Sequence, residues 1–117
     1  FVDNEEEICL MAKQMLERLG YEVTLWLDSR DAWEDFQSNP IAYDIAITDF
    51  TMPHLNGIQF AKKIAAIRPN MPVILISGFS EIISEQDMIE AGIRESIMNP
   101  MRPRDLSAAI WRVLDHH

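Results

Sequence analysis

The chain holds a single cysteine, Cys9. That excludes an internal disulfide and a cysteine-built metal site, and it fits a reducing compartment. Positive charge is scarce too: 10 Lys and Arg stand against 19 Asp and Glu, a net charge of −9. Such a balance favours solubility and disfavours nucleic acid or anionic lipid as a partner, so neither nucleic-acid binding nor direct membrane contact is expected. No apolar run reaches the roughly 18 residues of a membrane span, and no stretch reads as a signal peptide. Repeats, low-complexity tracts and linkers are missing as well. What is there is a chain of 117 residues, 48% hydrophobic and 25% charged. That length suits one domain with one sizeable core. The terminal His116 and His117 read as a tag remnant and receive no role.

Alternation organises the sequence. Short β-branched apolar runs occur at "FV" (1–2), "EVTLWL" (22–27), "DIAITD" (44–49), "PVILIS" (72–77) and "SIM" (96–98). Segments of helical period separate them. In 5–19, Ile8, Met11, Met15 and Leu19 form one face, and Gly20 stops the helix. Ser29 is expected to cap 30–38, with Trp33 and Phe36 inward. Asn56 caps 57–68, whose inward stripe is Ile58, Ala61 and Ile64, with Pro69 as breaker. Ser84 and Asp87 mark a further helix start, and Gly92 its end. Pro103 opens the last helix, where Leu106, Ile110 and Val113 face inward. Five strands alternating with five helices predict an α/β fold with a parallel sheet covered on both faces. The first run is short, so the first strand reads as cut at the chain start.

In such a sheet, chemistry gathers beyond the carboxyl ends of the strands. Those ends carry Asp3 and Asn4, then Asp49, then Ser77, then Asn99. Two carboxylates at neighbouring strand ends suit a hard cation such as Mg²⁺, which takes one or two protein carboxylates and keeps several waters. A cation there lets one carboxylate attack phosphorus, because it screens the repulsion between two anions. The Ser77 hydroxyl would hydrogen-bond the transferred group, and Gly78 leaves room for it. A plainer reading fits the same residues, in which polar strand ends only cap the helices that follow. Spacing alone does not separate the two.

In this order, "FVDNEEE", "ITDFTMPHLNG", "PVILISGFSE" and "IMNP" resemble the receiver (response-regulator) domain of two-component signalling. The resemblance covers essentially the whole chain, 1–117, and its D-x-x-M-P-x-x-x-G pattern is specific. "TMPHLNG" and "SGFSEIISE" are similar to receivers fused to hybrid sensor histidine kinases. The resemblance implies a flavodoxin-like (βα)5 three-layer sandwich with parallel strand order 2-1-3-4-5. It makes Asp49 the phosphoacceptor, with a histidine kinase or phosphotransfer domain as partner. It puts weakly bound Mg²⁺ on Asp3, Asn4, Asp49 and the Thr51 backbone carbonyl, and makes Ser77 the switch hydroxyl. It implies a cytoplasmic place, including one within a membrane-anchored hybrid kinase, and a cis Asn99-Pro100 bond, an uncommon state.

Three positions depart from the family pattern. Asn4 stands where a second acid is usual, Asn99 where a lysine is usual, and Ser96 where an aromatic switch residue is usual. Metal affinity should fall, the phosphoryl group loses a fixed cation, and no ring is present to rotate. The resemblance therefore implies an atypical receiver whose only catalysis is self-phosphorylation and dephosphorylation of Asp49. The alternative is a pseudo-receiver, a protein-interaction module that works without phosphate. An aspartyl phosphatase is weaker, since Thr51 occupies the place of its proton donor. A flavin site is weaker still, because "DNEEE" repels a phosphate unless a metal intervenes.

Other residues have plainer readings. His54 reads as a solvated loop histidine and Cys9 as a small buried apolar residue. Glu5, Glu6 and Glu7 favour a helix N-terminus electrostatically. Trp111 lies off its helix's inward stripe. It is either a half-covered flank or, with Ile82 and Met101, part of a homodimer or output surface on the last two helices.

Overall fold

The computed structural model describes residues 1–78, 83–99 and 101–115. Strands β1 (Ala46–Asp49), β2 (Val73–Ser77) and β3 (Ile93–Met98) form a parallel sheet in the order β1-β2-β3. Helices α1 (Glu6–Arg18), α2 (Ser29–Ser38), α3 (Gly57–Ile67), α4 (Glu85–Glu90) and α5 (Pro103–Asp115) accompany it.

The central strand explains the layering. Val73, Ile74, Leu75 and Ile76 are each at most 1% exposed, so β2 is covered on both faces. Successive side chains of a strand point to opposite faces. Val73 and Leu75 accordingly join Phe36, Phe60 and Ile64 on the side of α2 and α3. Ile74 and Ile76 join Leu16, Leu106 and Ile110 on the side of α1 and α5. Each such buried side chain contributes about 1.5–3 kcal/mol of hydrophobic stabilisation. The uninterrupted "VILI" run therefore serves two cores at once.

Among the described residues, three strands form where five are expected. The segments around Val2 and Trp26 pair only at single positions, Val2 with Thr48 on one side and with Trp26 on the other, both parallel. Four backbone hydrogen bonds hold this corner: Val2 to Ile47, Asp49 to Val2, Asp3 to Trp26 and Trp26 to Phe1. The 22–27 segment meets its neighbour at the single bridge of Trp26 with Val2.

One helix face and one helix cap also differ from expectation. On α1 the buried residues are Cys9, Ala12 and Leu16, while Met11 and Leu19 are 40% and 54% exposed. Both sets share the helical period, and the one with small side chains lets α1 approach the sheet. Ser29 does not cap α2. Asp28 does, its Oδ1 accepting the Arg30 N–H at 2.8 Å. Other helix expectations agree. Gly20 follows α1 at φ 95, Asn56 and Gln59 form a reciprocal capping box on α3, and Ser84 accepts from the Asp87 N–H. Leu106, Ile110 and Val113 of α5 are buried. Among the described residues, no helix is long and apolar enough to cross a membrane.

Candidate functional site

The expected site residues meet at one edge of the sheet because the parallel segments end together. Val2 pairs with Thr48, so the next residues, Asp3 and Asp49, stand side by side. Asp49 is in register with Ile76, whose carbonyl accepts from Phe50 N–H at 2.8 Å, and Ser77 follows. Asn99 donates its backbone N–H to the Ser77 carbonyl at 2.8 Å. Asp3, Asp49, Ser77 and Asn99 thus line the carboxyl ends of four neighbouring segments.

Their surroundings differ. Asp3 is 3% exposed. Its Oδ1 accepts the Glu5 N–H at 2.9 Å and its carbonyl accepts the Cys9 thiol at 3.2 Å. Burial raises the Asp3 pKa above its ordinary value; the Glu5 N–H opposes the rise and the Glu5 charge adds to it. Burial likewise pushes the Cys9 thiol up, with the Asp3 charge helping, so Cys9 is an inert core residue as expected. Asp49, Ser77 and Asn99 are half-buried, while Asn4, Thr51 and Ser96 are exposed.

This donor set fits Mg²⁺. It consists of hard oxygens, and the most buried carboxylate carries a desolvation cost that a cation would offset. Among the described residues, no group of three or more His, Cys, Asp and Glu gathers as a metal cage.

The loop after Asp49 is tightly held. Met52 is 8% exposed and packs into the core, Gly57 N–H donates to the Phe50 carbonyl at 2.8 Å, and Leu55 N–H donates to the Pro53 carbonyl at 2.9 Å. His54 adopts φ 73, and its Nε2 lies 3.7 Å from an Asp28 carboxylate oxygen. Gly57 has no room for a side chain, because a Cβ would lie 2.7 Å from the Asp49 carbonyl oxygen. The sequence reading missed Ser29, whose hydroxyl bonds this loop instead of capping its own helix. "DS" (28–29) at the start of α2 supplies two cap-type residues where one suffices, and that surplus is the signal in the sequence. The Asn99-Pro100 bond and Ile82 lie outside the described residues.

The response regulator receiver domain family matches residues 1–111. The chain belongs to this family. Chemotaxis protein CheY of Thermotoga maritima is 31% identical to this receiver over 113 residues, 96% of this chain and 92% of that protein. Transcriptional regulatory protein ZraR of Escherichia coli is 25% identical over 115 residues, and there the receiver spans only 26% of the relative's length. Among solved structures, a response regulator receiver domain protein from Clostridium thermocellum superposes with a TM-score of 0.90 at 31% identity, covering 97% of this chain and 90% of that one. The receiver is CheY-like, and the family works in two-component phosphorelay signalling.

Proposed function

We propose that this receiver accepts a phosphoryl group on Asp49 from the phosphohistidine of a histidine kinase or phosphotransfer domain. What supports the reading is the Val2–Thr48 pairing, whose register makes the buried Asp3 a neighbour of Asp49 along the two segments. An Asp49 carboxylate oxygen attacks phosphorus, the P–N bond to the imidazole breaks, and the ring leaves with that electron pair. Asp3, Asp49 and the Thr51 carbonyl would hold Mg²⁺, with Asn4 adding a neutral oxygen or none. The ion supplies charge neutralisation for the transferred group. Ser77 donates its hydroxyl to a phosphoryl oxygen, and the Asn99 amide donates where the family's lysine would bring a cation.

The finer architecture belongs to the same reading. Counting the bridged segments at Val2 and Trp26 as short strands, the order reads 2-1-3-4-5. A second reading, the pseudo-receiver, draws support from Asn4, Asn99 and the exposed Ser96, which together remove two helper charges and the switch ring.

One experiment separates them. Incubation with acetyl phosphate and Mg²⁺, read by intact mass, should add one phosphoryl group to the wild type and none to Asp49→Asn. Beryllofluoride with Mg²⁺ should shift amide signals around Asp49 and Ser77. No adduct and no shift at saturating reagent leaves the interaction module as the function.

A further inference from the structure

Ser29 begins α2, yet its hydroxyl serves a different element. The side chain is fully buried, and its O–H donates to the Leu55 carbonyl at 2.7 Å, with the Pro53 carbonyl at 3.3 Å as a weaker second acceptor. One hydroxyl carries one proton, so the nearer carbonyl takes most of the bond. Asp28 already caps the helix, which frees Ser29 for this contact. The other Asp28 oxygen faces His54, whose φ of 73 is a left-handed conformation that a non-glycine residue keeps only when its surroundings impose it. Met52 anchors the same loop in the core. Thr51 lies between these fixed points and Asp49, so the aim of its carbonyl is set by how firmly the loop is held.

We propose that Ser29 is a positioning residue for the Asp49 site: its buried hydroxyl fixes the 50–56 loop and thereby the Thr51 carbonyl. The metal part of this inference rests on the proposed function, and the loop part on the geometry alone. Without the bond, the loop gains conformations in the free protein. Binding a cation must then order what was ordered before, and affinity falls.

The test uses the whole chain, wild type beside Ser29→Ala and the hydroxyl-retaining Ser29→Thr. Metal-free amide exchange at Leu55 and Gly57 should accelerate in Ser29→Ala about three- to tenfold, the scale of one net intramolecular hydrogen bond. The amides of Ile74 and Leu75 should not change. Mg²⁺ affinity by NMR titration should weaken by a similar factor, and excess Mg²⁺ should restore the rate of Asp49 phosphorylation. Ser29→Thr should retain wild-type affinity; if its added methyl group disturbs packing, the alanine variant decides alone. Unchanged loop exchange in Ser29→Ala overturns the inference. So does a rate loss that excess Mg²⁺ fails to restore, since that is mere loss of stability. A wild type that binds no Mg²⁺ overturns the Asp49 reading and the metal part with it, while the exchange data still judge the loop part.

Discussion

Gly57 and Asp49 are in such close approach that a Cβ on Gly57 would lie 2.7 Å from the Asp49 carbonyl oxygen and 2.9 Å from the Phe50 Cα. The start of α3 is thereby pressed onto the end of β1, with the Gly57 N–H on the Phe50 carbonyl. Those neighbours are backbone and cannot swing aside. Gly57→Ala should therefore destabilise the receiver by about 1–3 kcal/mol, despite alanine's better helix propensity. Urea unfolding measures the loss. Asp49 phosphorylation should slow as well, because the strand end must shift to admit the methyl group.

Asp3 makes metal-free stability depend on pH in a stated direction. Its folded pKa is raised, mainly by burial. The folded state therefore holds this proton more tightly than the unfolded chain does. The resulting stabilisation is full below the ordinary value of 3.8 and is lost as pH rises through the folded pKa. Asp3→Asn should consequently melt higher than the wild type at neutral pH without metal, and the gap should close as pH falls toward 3.8. Added Mg²⁺ should raise the melting temperature of the wild type but not of the variant. Equal melting of both proteins at neutral pH would remove the desolvation argument.

Asn4 is exposed, one residue beyond the buried Asp3. Asn4→Asp should tighten Mg²⁺ binding, since it adds a charge beside the proposed ligands without disturbing packing. Titration followed by tryptophan or amide signals gives the comparison. Matching affinities would show that the missing charge is immaterial.

Asn99 offers a neutral amide where the family pattern has a lysine. One well-placed donor in a preorganised anion site is worth about 2.7–4 kcal/mol, and the amide recovers part of that. Asn99→Lys should speed phosphorylation by at least several-fold. The response around β3 and α5 should stay small, because exposed Ser96 has no ring to follow Ser77 inward; Ser96→Tyr is needed in addition. Phosphorylation rates and chemical-shift changes on the last two helices are the two readouts. If Asn99→Lys leaves Asp49 inert at saturating Mg²⁺ and phosphodonor, the phosphoacceptor reading gives way to the pseudo-receiver.

Periodicity was enough to determine the helices and the central strand. "VILI" has no polar residue to turn outward, Asn56 and Ser84 are caps by chemistry, and the apolar runs themselves end on Asp3, Asp49, Ser77 and Asn99. The tertiary structure decided the rest. Whether α1 buries Met11 or Ala12 depends on how closely the helix approaches the sheet, since both residues obey the same period. Whether 22–27 extends as a strand depends on the segment it lies beside, and it meets that segment at one bridge, Trp26 with Val2. Whether Ser29 caps its helix or clasps a loop depends on Leu55, 26 residues away in sequence. A side chain's type limits the bonds it can make, but only the folded chain brings one partner within reach and leaves the others out.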